Sequence, residues 1–124
     1  MPRGESLYHQ YPDYRVDLAP HPRPVRVRFA GETVASSERA LTVLETKHDP
    51  VVYLPREDVR LELFERTDHE TFCPFKGYAS YWSLRVGDAS LPNVMWSYED
   101  PFEQVAGLKD YVAFYTTRVE LEED

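Results

Sequence analysis

The chain has 124 residues, with 14 Lys and Arg against 22 Asp and Glu, a formal net charge of −8. That length suits a single domain, and 42% hydrophobic residues are too many for a disordered chain. Three classes of function are disfavoured: no apolar run approaches the roughly 18 residues of a membrane span, one cysteine excludes an internal disulfide framework, and the acidic balance opposes non-specific nucleic-acid binding, which needs a basic face to displace counterions.

Residues 1–24 read as a proline- and tyrosine-rich N-terminal arm. They contain Pro2, Pro12, Pro20, Pro22 and Pro24, and the alternation in PHPRP favours extended backbone. Tyr8, Tyr11, Tyr14, Val16 and Leu18 are expected to pack on the domain or on a second subunit, which would make a homodimer through the arm. The domain is expected over 25–121, with 122–124 as an acidic tail. The start of the chain has no apolar stretch of signal-peptide type, and the lone cysteine fits a reducing compartment, so the expected location is cytoplasmic.

The pattern then runs mostly at period two. Val25, Val27 and Phe29 alternate with Arg26 and Arg28, which predicts a half-buried strand. Gly31 marks a turn with positive φ, 33–36 returns as a second strand, and 41–46 is a third, completing a meander. Asp49-Pro50 breaks the chain before the apolar strand 51–54. Pro55 opens one helical turn over 55–59, and Leu61 and Leu63 alternate as a strand. A loop is expected at 66–77. Tyr78, Ser80, Trp82, Leu84 and Val86 share one face of the next strand, and Gly87-Asp88 signals a hairpin. Val94, Trp96 and Tyr98 line the following strand, and a short helix is expected within 101–109. The last strand runs from Tyr111 to Leu121. Val112 and Phe114 fit one parity there and Val119 and Leu121 the other, so a bulge is expected near Thr116-Thr117. The sum is an all-β, strand-dominated domain with one or two short helical turns.

The segment Thr67–Trp82, TDHETFCPFKGYASYW, concentrates the chemistry. It holds the single cysteine, a histidine, a lysine, a stiffening Pro74 and Gly77. Together with VVYLPREDV at 51–59, WSYEDP at 96–101, Val112–Phe114 and the opening VRVRFAGETVASSERALTVLET, it resembles the family catalogued as domain of unknown function 427, also labelled a nucleotidyltransferase-type domain. The match runs in order from about residue 25 to 120. The resemblance implies a tent-like β fold, two antiparallel sheets packed at a steep angle, and no established activity. Tent-type relatives often hold zinc in paired C-x-x-C knuckles. Here the second knuckle position is Lys76, so neither a metal nor another cofactor is expected. Lys76 is expected to replace the lost ion as the local cation, paired with Asp58 or Glu70.

The expected function is binding of a small polar or aromatic molecule in a pocket between the two sheets. Trp82, Trp96 and Tyr98 would wall it, with Arg56, Asp58, Lys76 and Tyr78 beside them. Aromatic faces stack flat ligands, while Lys76 and Arg56 would meet an anionic or polar group. An enzyme at the same place is the alternative, with Cys73 or Lys76 as nucleophile and His69 as acid–base. A third reading is a protein-interaction module using the arm. Nucleotidyl transfer is poorly supported, because five scattered glycines make no phosphate cradle and no G-x-x-x-x-G-K-[ST] loop is present.

Overall fold

In the computed structural model, residues 5–124 are described. Among them ten strands form two antiparallel sheets. They are β1 Val16–Pro20, β2 Val25–Phe29, β3 Glu32–Ser37, β4 Leu41–Glu45, β5 Val51–Pro55, β6 Phe64–Cys73, β7 Gly77–Val86, β8 Ala89–Ser97, β9 Tyr111–Phe114 and β10 Glu120–Glu123. A 7-stranded sheet has the order β1-β4-β5-β9-β8-β7-β6, and a 3-stranded sheet the order β10-β2-β3. Short 3-10 turns cover Arg56–Asp58, Leu61–Leu63 and Glu103–Leu108. Among the described residues no helix is long and apolar enough to cross a membrane.

The local signals place the turns. Ala30 and Gly31 both take positive φ, 51° and 81°, the geometry of a two-residue hairpin whose twist matches its strands. Gly87, at φ 58°, closes the β7–β8 hairpin. Several elements depart from the sequence reading. Val16–Pro20, inside the segment expected as an arm, is the edge strand of the large sheet, paired with β4. Glu122 and Glu123, expected as tail, pair with Arg26 and Val25. Pro2 lies outside the described residues. The expected meander breaks after β3: Ser37 Oγ accepts the Arg39 N–H and donates to Asp58, and this local turn sends β4 into the other sheet. Leu61–Leu63 is a 3-10 turn, and the expected loop at 66–77 is strand as far as Cys73. The expected final strand is two strands in different sheets, which removes the parity conflict without a bulge.

The large sheet is packed on both faces. Leu54, Trp82, Leu84, Val94, Val112 and Phe114 point to the small sheet and meet Val25, Val27, Val34 and Val119. The alternate residues Tyr53, Tyr81, Ala113 and Tyr98 point the other way, onto Val43, Val105 and Leu108. Val16 and Leu18 of β1 pack on that second cluster, so the apolar half of the arm is core. Two adjacent residues of β8, Val94 and Met95, share the first cluster because the strand bulges at Asn93, whose φ is 50°.

Candidate functional site

Cys73, Pro74, Phe75 and Lys76 form the turn between β6 and β7. The Lys76 N–H donates to the Cys73 carbonyl at 3.2 Å, and Pro74 supplies the fixed φ that favours the second position of such a turn. Gly77 follows at φ 115°, where an added Cβ would lie 3.4 Å from the Asp100 carbonyl oxygen. The C-x-x-K spacing is therefore a tight turn that leaves Lys76 facing the second core cluster.

Lys76 is 8% exposed. Its ammonium donates to Glu45 and lies 5.7 Å from the Tyr98 ring centroid, within range of a cation–π contact. The partner expected from sequence was Asp58 or Glu70, and it is Glu45. Asp58 is engaged with Ser37 and Arg39. The other oxygen of Glu45 accepts from the Tyr14 hydroxyl, with His48 Nε2 3.7 Å away. Burial by itself would raise the Glu45 carboxyl. The hydrogen bonds from Lys76 and Tyr14 and the Lys76 charge outweigh it, and hold the group below the usual carboxylate range.

Above this ion pair opens a cleft of about 690 Å³, within the roughly 300–1,000 Å³ of ligand sites. Tyr53, Tyr81, Trp96, Tyr98 and Tyr115 are among its walls, with Cys73 and Lys76 at the turn. Trp96 Nε1 donates to the Tyr53 hydroxyl at 3.1 Å. Burial pushes the Tyr98 and Tyr53 hydroxyls well above their ordinary value, so both stay neutral donors. Phe72 and Tyr115, exposed at 38% and 41%, stand on the rim. An N-terminal strap closes one side. The Tyr14 ring stacks on Phe75 at 3.7 Å, Tyr8 and Tyr11 meet the same ring edge-on, and the Leu7 N–H donates to the Pro74 carbonyl.

The structure divides the residues singled out from sequence. Cys73, Lys76, Trp96 and Tyr98 converge on the cleft. Trp82, one residue from Tyr81, points to the opposite face of the sheet. There Arg56 and Arg66 lie 5.1 and 5.4 Å from its ring centroid, and both guanidiniums are held by Glu99. Tyr78 belongs to a separate depression with Arg66 and Glu99. The cleft is therefore not between the sheets, where packed side chains fill the space, but on the far face of the large sheet. His69 sits edge-on to Tyr81 at 4.5 Å and does not line the Cys73 cleft; His48 does. Cys73 is a free, half-buried thiol. Glu45 and Tyr53 were missed, although Glu45 shares strand parity with Leu41 and Val43. A carboxylate on the inward face of a strand needs a cation opposite it.

Two antiparallel sheets with both faces of the larger one packed, and an aromatic cleft over a buried Lys–Glu pair, define an all-β domain. The chain belongs to the family described as domain of unknown function 427, whose model matches residues 17–124. No curated protein matches the chain.

Proposed function

We propose that this domain binds a small, planar, polar-substituted aromatic molecule in the Cys73–Lys76 cleft, in the cytoplasm. The convergence of Tyr53, Tyr81, Trp96 and Tyr98 on the Lys76–Glu45 pair carries the reading. The aromatic walls supply stacking area, the neutral tyrosine hydroxyls supply oriented hydrogen bonds, and the exposed Phe72 and Tyr115 supply a rim that a ligand would cover. The internal ion pair favours binding over nucleophilic chemistry at Lys76, because an ammonium held by a carboxylate has no free lone pair. A free thiol with no disulfide partner among the described residues supports a reducing compartment.

The test is a titration of the protein with benzoates, indoles, nucleobases and nucleosides, followed by proton–nitrogen correlation spectra. Shifts concentrated at Cys73, Lys76 and the Trp96 indole N–H are expected, and Trp96→Ala should abolish them. No binding across the panel, or shifts centred on Trp82 and Glu99, would overturn the reading.

A further inference from the structure

We infer that the cleft continues past Tyr81 and Tyr115 into an anion subsite formed by Arg118 and His69, so that the ligand class is an aromatic ring carrying an anionic group on a short chain. The inference rests on the reading of the Cys73–Lys76 cleft as a binding site.

A second cavity of about 500 Å³ holds His69, Asn93, Thr117 and Arg118, and it shares Tyr81 and Tyr115 with the first. Two side chains thus form the common wall. Burial first, and then the neighbouring Tyr81 hydroxyl, push the Tyr115 hydroxyl up to about 12, and the Tyr81 hydroxyl meets Thr71 Oγ1 at 2.9 Å. A chain leaving the aromatic cleft would cross this polar strip.

The far cavity is shaped by two irregularities flanking β7. The β6 register shifts between Arg66 and Glu70, and the β8 register shifts around Asn93. Thr67 Oγ1 donates to Asn93 Oδ1 at 2.5 Å, tying the two bulges together. With its oxygen engaged, Asn93 has its amide N–H groups left to offer. Arg118, His69 and Thr117 add further donors. No carboxylate lines this cavity among the described residues, although the chain carries 22 acids.

Charge bookkeeping decides where an anion would go. Lys76 is held by Glu45, and Arg56 and Arg66 by Glu99. Taking Lys76 from Glu45 would strand a buried carboxylate, a large cost. Arg118 has no carboxylate partner among the described residues; its charge faces the Tyr115 hydroxyl. An anion at Arg118 displaces no internal acid.

Naphthyl-substituted acetate, propionate and butyrate, each beside its primary amide, test this by calorimetry with the wild type, Arg118→Gln and Arg118→Lys. At the best chain length the acid should bind roughly tenfold tighter than its amide, and Arg118→Gln should erase that advantage while leaving the amide affinity within about twofold. Arg118→Lys should keep part of the preference. Correlation spectra of each variant verify that the fold is intact. Equal binding of acid and amide by the wild type, or a preference that survives in Arg118→Gln, overturns the subsite alone. Failure of every acid and every amide to bind overturns the cleft reading and the subsite with it.

Discussion

The ammonium of Lys76 donates to the carboxylate of Glu45 across 31 residues of sequence, and the two side chains are 10% and 9% exposed. Among the described residues neither charge has another strong partner of opposite sign: Glu45 has otherwise the Tyr14 hydroxyl and a more distant His48. Removing one member leaves the other buried and uncompensated. Lys76→Met should therefore cost on the order of 3 kcal/mol in denaturant unfolding, the lower end for a buried pair because this one borders an open cleft. The double variant Lys76→Met with Glu45→Leu should recover much of that loss. Losses that simply add would show that the pair is not coupled.

The same pair sets an acid limit. The Glu45 carboxyl is held below its ordinary value of 4.5 in the folded chain. A depressed carboxyl contributes stability that is fully present above the unfolded value and lost as pH falls through the folded one. The stability gap between wild type and Glu45→Gln should thus be constant from neutral pH down to about 5 and shrink steadily below the ordinary carboxylate range. Melting temperatures of both proteins across that range check it, and a gap that widens on acidification would contradict the linkage.

The N-terminal strap is held mainly by one ring. Tyr14, Tyr8 and Tyr11 all contact Phe75, and the Tyr8 hydroxyl donates to the Phe75 carbonyl oxygen. Phe75→Ala should release the strap at a cost of roughly 2 kcal/mol, from lost ring burial and stacking. Limited proteolysis should then cut between residues 5 and 14, where the wild type resists. Light scattering of a chain lacking the first 14 residues tests the arm as a self-association element, and a mass per particle unchanged by the deletion would exclude that role.

Glu99 organises the opposite face. It accepts from Arg56 at 3.0 Å and Arg66 at 2.7 Å, and burial, which would raise its carboxyl, is outweighed by these bonds. Glu99→Gln should cost about 1 kcal/mol, since the three side chains are each partly exposed and screened. Because Trp82 and its two guanidiniums lie on the other side of the large sheet from Lys76, ligand affinity in the Cys73 cleft should not change. A large loss of affinity in Glu99→Gln would mean that the two faces are coupled.

Much of the local structure was legible. Period-two alternation marked β2 and β7 and located β8, although the bulge at Asn93 puts Val94 on the face opposite Trp96; the apolar run after Asp49-Pro50 marked β5, and Gly31 and Gly87 marked hairpins, because strand faces and left-handed turns are written in consecutive residues. Two errors lay where strands change partner. Leu41–Glu45 reads as the third strand of a meander until the Ser37–Asp58 turn redirects it, and Tyr111–Leu121 reads as one strand until it crosses between sheets. Of the residues lining the cleft, Cys73 and Lys76 had been singled out by their spacing, and Trp96 and Tyr98 by their shared parity. Trp82 was grouped with them because an aromatic residue on a strand does not declare which face it serves. When both faces are packed, as on β7 from Ala79 to Trp82, the buried–exposed contrast that would have separated them vanishes.

By itself, the sequence determined an all-β chain, its hairpins, its aromatic richness and a cysteine–lysine turn, since each follows from residues close together in the chain. Only the tertiary structure decided that Glu45 answers Lys76, that the arm contributes an edge strand and a strap, and that the cleft lies on the outer face of the large sheet. Those are long-range outcomes. They depend on which strand lies beside which and which face another element covers, and no local pattern carries that information.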